Sequence, residues 1–190
     1  MGVTEIGFIA LVALVGILRI AELRVSRKHQ REMLSQGASR VSERRFGTMV
    51  FLHTAVLIGA VLEVLLLHRL FYPWLAVPMC AFFVASNAVR IWVIRTLGKH
   101  WNVQVMNSAP LGVVSSGPYR WVRHPNYSAV FVEMFALPLI HTAWITAIFA
   151  AVGNALVLRW RLKAEDPMLL ANADYRTSMG GKPRFIPKFL

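Results

Sequence analysis

Five apolar runs, at about 7–20, 49–67, 74–97, 128–140 and 143–158, dominate a chain of only 190 residues. Hydrophobic residues make up 56% of it and charged residues only 16%. A soluble domain of this size leaves a large part of its surface in water, so it cannot hide that many apolar side chains. The runs are instead of the length that crosses a bilayer as helices, the one simple way to satisfy backbone hydrogen bonds there. The expected fold is all-α: an integral membrane helical bundle of about five transmembrane helices. The last two runs are short and parted by Pro138 and His141-Thr142, so they should form a C-terminal helical hairpin. The first run has no basic leader and no small-residue cleavage site before Arg24, which reads as a retained span. No repeat, low-complexity stretch or linker divides the chain, and residues 1–190 are expected to form a single domain.

Charge orients the bundle. The segment 23–45, expected as a loop, holds Arg24, Arg27, Lys28, Arg31, Arg40, Arg44 and Arg45. The positive-inside bias puts that segment in the cytoplasm and the N-terminus outside. Alternation then places 98–123, with Lys99, Arg120 and Arg123, and the tail after Arg159 on the cytoplasmic side too. The formal charge of +12 is thereby explained by basic loops against anionic lipid, with membrane lipid the expected partner and nucleic acid not required. Cys80 is the single cysteine, which excludes an intramolecular disulfide and a cysteine zinc site.

Polar residues inside spans are costly and need partners. Arg95 sits where snorkelling satisfies it. Arg90 and Glu133 are expected to pair across helices, with Asn154 as a further partner. His53 and Glu63, about three turns apart in the second run, do not form one site, and each is read as an end-of-span or interhelical contact rather than a ligand.

The run Gly117-Pro118-Tyr119-Arg120-Trp121-Val122-Arg123-His124-Pro125-Asn126-Tyr127 crowds aromatic, titratable and turn-forming groups between two apolar segments. Pro125 holds His124 in extended backbone, and Gly117-Pro118 reads as a turn. Just before it, Trp101 is expected as an interfacial anchor. Irregular backbone near membrane depth must be covered or line a polar cavity. From composition alone, a cofactor-lined cavity and a lipid-headgroup loop are equally good readings. Past the fifth run, Arg161 and Glu165 are four apart and share a helix face, a spacing that by itself describes a solvated ion pair. Asp166-Pro167 is expected to break that helix and start a new one.

These two segments together resemble the isoprenylcysteine carboxyl methyltransferase family. The carrying residues are Arg123-His124-Pro125-Asn126-Tyr127 after Gly117-Pro118-Tyr119, then Arg161, Glu165-Asp166, Leu169, Tyr175 and Arg184-Phe185-Ile186-Pro187, spread over about 97–187. The resemblance implies S-adenosyl-L-methionine in a cytoplasm-facing pocket closed by the His-Pro-x-Tyr loop and the C-terminal segment. It implies Gly117, Tyr119, His124, Pro125, Tyr127 and Glu165 as cofactor-binding residues, with His124 donating to the methionine carboxylate. It also implies Arg161 and Glu165 as catalytic residues, Arg161 holding an anionic acceptor oxygen. Ser128-Ala129 stands where the eukaryotic enzymes carry a glycine, and Asp166-Pro167 departs from their paired glutamates. The stretches 97–105 and 117–138 look closer to bacterial members found beside polyketide synthases. The implied acceptor is therefore a lipophilic one, such as a long-chain alkylresorcinol or alkylpyrone, in preference to an isoprenylcysteine or other prenylated acceptor. Two other classes fit some of the residues: an NADPH-dependent membrane reductase of the sterol-reductase type, whose Arg-His-x-x-Tyr element is similar, and a non-catalytic lipid-binding membrane protein. The paired acids suit a cationic cofactor better than a polyanionic one.

Overall fold

A computed structural model describes residues 2–41 and 46–187. Arg44 and Arg45, counted above in the basic segment, lie outside the described residues. Six helices account for nearly all the regular structure: α1 (Val3–Ser35), α2 (Phe46–Leu66), α3 (Pro73–Leu97), α4 (Pro125–Leu139), α5 (Trp144–Ala171) and α6 (Ala173–Met179). Among the described residues one small sheet joins β1 (Ser39–Arg40) to β2 (Met106–Asn107) in antiparallel register.

Four of these helices, α1, α2, α3 and α5, are long and apolar enough to cross a membrane. Their outer faces carry Ile17, Phe51, Ile58, Phe82 and Ile148 exposed, as a lipid-solvated surface requires. The fifth expected span, α4, has 15 residues and rises roughly 22 Å, less than a bilayer's apolar thickness. Its C-terminal turn nonetheless reaches the far end of the bundle. There His141 Nε2 meets Thr4 Oγ1 at 3.3 Å, and the Thr142 hydroxyl donates to the Leu70 carbonyl at 2.6 Å. A short helix ending at the far end must begin inside the membrane thickness, so the motif loop that precedes α4 is sunk into the bundle. The α4–α5 hairpin is present as expected.

The far half is the packed core. Phe8, Val12 and Val15 of α1 meet Ala60 and Val64 of α2, with Leu137, Ile140 and Ala143 from the hairpin. Between α2 and α5 the Leu52 side chain packs directly on Gly153, where an added Cβ would lie 2.6 Å from Leu52 Cδ1. Small residues of this kind set helix spacing in membranes. Glu63 accepts from the Ile145 and Thr146 amides at 3.1 and 2.7 Å and from Arg69 Nε at 3.0 Å. It satisfies the first turn of α5, which agrees with its reading as an interhelical contact.

Three expectations change. Arg24, Arg27, Lys28 and Arg31 are not in a loop, because α1 continues through Ser35 for 33 residues. α5 does not break at Pro167: Lys163 and Pro167 both lie on the exposed face, so the carbonyl freed by the proline meets water. The break comes at Asn172, whose Oδ1 accepts from the Tyr175 amide at 3.0 Å and caps α6. Trp101 is buried rather than interfacial, edge-on to His29, whose Nδ1 donates to the Trp101 carbonyl at 3.0 Å. The extension of α1 supplies the wall against which the 98–108 segment folds back.

Candidate active site

The half of the bundle opposite the packed core is hollow. A cavity of about 490 Å³ runs from Gly16 and Leu57, at membrane depth, to Tyr119 and Tyr175 at the other end. The motif residues close that second end. Pro125 takes the first position of α4, where a missing N–H costs nothing, and this keeps His124 non-helical at φ −127° and ψ 57°. The C-terminal segment then lies along the freed backbone. The Arg123 and His124 amides donate to the Pro183 and Arg184 carbonyls, both at 2.9 Å, and Lys182 Nζ donates to the Tyr119 carbonyl at 2.8 Å.

Asp166 locks the assembly. Its Oδ1 accepts from His124 Nε2 at 2.7 Å and faces Arg123 at 3.5 Å, while its Oδ2 accepts from Arg184 Nε at 2.7 Å. One buried carboxylate thus joins α5, the motif loop and the tail. With Nε2 so engaged, Nδ1 is the atom of His124 left for a ligand.

Glu165, one residue earlier, faces the cavity and accepts the Tyr127 hydroxyl. The Tyr127 ring stacks on His124 with centroids 5.3 Å apart, and the Arg161 guanidinium lies 5.4 Å from the Tyr127 centroid. Arg161 also donates to the Val103 carbonyl at 2.8 Å and meets Met49 Sδ at 2.7 Å. Burial, reinforced by Glu165, pushes Tyr119 up, and the same two causes push Tyr175 up to about 12. Both phenols therefore remain neutral hydroxyls in use.

Tyr119, His124, Tyr127, Arg161 and Glu165 are thus brought onto one cavity wall. Gly117 and Pro125 are not. Gly117, at φ +56°, lies where an added Cβ would be 2.5 Å from Thr96 Oγ1, so it lets the loop approach α3. Pro125 starts α4.

The expected Arg90–Glu133 pair is replaced by a wider network. Arg90 binds Glu22 through two bonds of 2.9 and 2.6 Å, while Arg19 reaches Glu22 at 2.6 Å, Glu133 at 2.9 Å and Asn87 at 3.2 Å. Arg19 and Glu22 stand three apart at the edge of the first apolar run, which was the available signal. Asn154 lines the cavity beside this network. Asn126 was also missed as a site residue: it lines the cavity, and its buried Oδ1 has no hydrogen-bond partner among the described residues.

The sequence profile described as "Isoprenylcysteine carboxyl methyltransferase (ICMT) family" matches residues 79–171, the stretch that supplies α3, the motif loop and the α4–α5 hairpin. The chain belongs to that family. Membership makes it an integral membrane protein whose general activity is methyl transfer. It is 30% identical over 162 residues to "Uncharacterized protein YpbQ" of Bacillus subtilis (strain 168), covering 85% of this chain and 96% of that relative. A Haemophilus influenzae (strain ATCC 51907 / DSM 11121 / KW20 / Rd) protein, "Uncharacterized protein", is 25% identical over 150 residues, 78% of this chain and 87% of its own length. Similarity to the Bacillus subtilis protein thus covers more of the chain than the 79–171 profile match does.

Proposed function

We propose that this family member transfers a methyl group from S-adenosyl-L-methionine to an oxygen of a lipophilic acceptor whose tail stays in the bilayer. The observation that carries this reading is that one cavity joins the motif residues to exposed positions on α1 and α2. Ile20 of α1 and Val50 and Thr54 of α2 line the cavity and are exposed, and we take the space between them as a gap toward lipid. An acceptor head can enter there without its tail leaving lipid.

The residues present fit the cofactor. Its cationic centre suits the Glu165 carboxylate, and the unsatisfied Asn126 oxygen is ready for an N–H group. A volume of about 490 Å³ suits a molecule of drug-like size. When bound, S-adenosyl-L-methionine supplies an electrophilic methyl group on a sulfonium. The chain's own work is then alignment and exclusion of water, the principal demands of an in-line displacement. Glu165, oriented by Tyr127, holds the cationic end. Arg161, fixed by Val103, offers donors to the acceptor oxygen. The tail strapped over His124 keeps bulk water out. With the basic extension of α1 at the cavity end, the positive-inside bias faces the site to the cytoplasm.

The test is calorimetric titration of the detergent-purified protein with S-adenosylhomocysteine and, separately, NADPH. Saturable binding of the first alone is expected, and Glu165→Ala should weaken it at least tenfold. Arg161→Ala should leave that binding intact and lower kcat/KM for the acceptor. Binding of NADPH alone would replace this reading with a reductase, and binding of neither by folded protein would end the enzymatic reading.

A further inference from the structure

The cavity holds a second reactive nitrogen, which the site described so far does not use. His53 of α2 stands on the cavity wall, one helical turn from Met49, whose sulfur touches Arg161. Its Nδ1 lies 2.8 Å from the Met49 carbonyl oxygen. A carbonyl only accepts, so Nδ1 carries the hydrogen, and in the neutral form of the ring Nε2 is then the nitrogen with the lone pair. Among the described residues no hydrogen bond to Nε2 is found. His53 borders both this cavity and a small void of about 30 Å³ that it shares with Arg19 and Glu133.

A carboxylate acceptor is ionised before it arrives and needs no base. A phenol or enol acceptor must lose a proton as it attacks, and a phenol's ordinary pKa near 10 makes prior ionisation rare at neutral pH. A fixed imidazole lone pair beside an arginine is the machinery for the second case and idle in the first. We infer that His53 is the general base for the hydroxyl acceptor that the family resemblance implies. This inference rests on the methyl-transfer reading.

The step balances within the site. The acceptor's O–H bond breaks and its proton goes to His53 Nε2. The oxygen's electron pair forms the new bond to the methyl carbon while that carbon's bond to the sulfonium sulfur breaks, its pair staying on sulfur. One positive charge is lost at sulfur and one gained at imidazole, so the poorly solvated cavity keeps its net charge. The imidazolium returns its proton to water when the product leaves.

Two probes separate the cases: 5-pentadecylresorcinol, un-ionised at neutral pH, and a pentadecyl-substituted nitrophenol of near-neutral pKa, assayed at a pH where it is largely ionised. His53→Gln and His53→Asn should lower kcat on the resorcinol by roughly 10²–10⁴. They should change the nitrophenol rate less than about threefold and leave S-adenosylhomocysteine binding unaltered. Without any cofactor, the nitrophenol at a pH below its pKa should gain phenolate absorbance on binding wild-type protein. The ¹⁵N spectrum of labelled histidine should then show protonation of one Nε2, and both signals should vanish in His53→Gln. Equal losses on the two acceptors, or no loss on either, would overturn the base assignment, as would absence of the phenolate and ¹⁵N signals in wild type. Failure of wild-type protein to bind S-adenosylhomocysteine is a separate result. It would remove the methyl-transfer reading, while the cofactor-free signals would still decide the proton transfer.

Discussion

Asp166 carries more of the site's order than any residue that faces the cavity. Its two oxygens serve His124, Arg123 and Arg184, and the first two of those partners are almost out of reach of solvent. Removing a buried charge from such a cluster leaves its partners unpaired, a loss of about 3–5 kcal/mol. Asp166→Ala is therefore expected to lower the thermal midpoint in detergent. It should also free the 180–187 tail, which limited proteolysis would show as early loss of the C-terminus. An unchanged midpoint with a protected tail would mean the backbone bonds from Pro183 and Arg184 suffice. Glu165, its neighbour, predicts the contrary pattern: a near-normal midpoint with weakened ligand binding, because its main partner is a single tyrosine hydroxyl. Two adjacent acids in a sequence thus have separable roles, and separate measurements report on them.

Among elements, the strongest cross-helix chemistry is the Arg19–Glu22–Arg90 cluster that holds α1 against α3, extended through Arg19 to Glu133 of α4. A double-mutant cycle on Glu22 and Arg90, read from unfolding in detergent, should give a coupling within the 0.5–3 kcal/mol range of residues in contact. The Arg90–Glu133 cycle should give less, because their connection passes through Arg19. Equal couplings would indicate that the two acids exchange partners. The sequence marked Arg90 and Glu133 as buried charges needing partners but paired them with each other. Burial cost is a property of one segment, whereas pairing depends on helix rotation, which no local pattern records. Helix existence and the α4–α5 hairpin were legible because apolar runs and their breakers are local. The extension of α1 was not, since basic residues read alike on a solvated helix and in a loop. Pro167 misled for the converse reason: a breaker is tolerated where the carbonyl it frees faces solvent. At the site, Tyr119, His124, Tyr127, Arg161 and Glu165 were legible as motif residues. Their convergence with His53 and Asn126 came only from the fold.

At the scale of the whole molecule, a solid far half and a hollow near half divide labour between stability and access. The cavity's volume of about 490 Å³ is largely taken by one ligand of cofactor size, so a long alkyl chain cannot also fit inside. The gap flanked by Ile20, Val50 and Thr54 offers the chain another place, among lipid. This arrangement makes a quantitative prediction about tail length. If the tail were enclosed by protein, rates would hold only while the chain fits and fall sharply once the space is full. If the tail remains in the bilayer, moving it costs and gains nothing, because lipid chains are as apolar as the tail itself. Rates for 5-alkylresorcinols from nine to nineteen carbons, divided by their measured membrane concentration, should then be flat to within about twofold. Thr54→Trp, which narrows the gap without touching the motif residues, should depress all members of the series together while sparing S-adenosylhomocysteine binding. A sharp cutoff at one chain length would instead place the tail inside the protein and close the α1–α2 gap as an entrance.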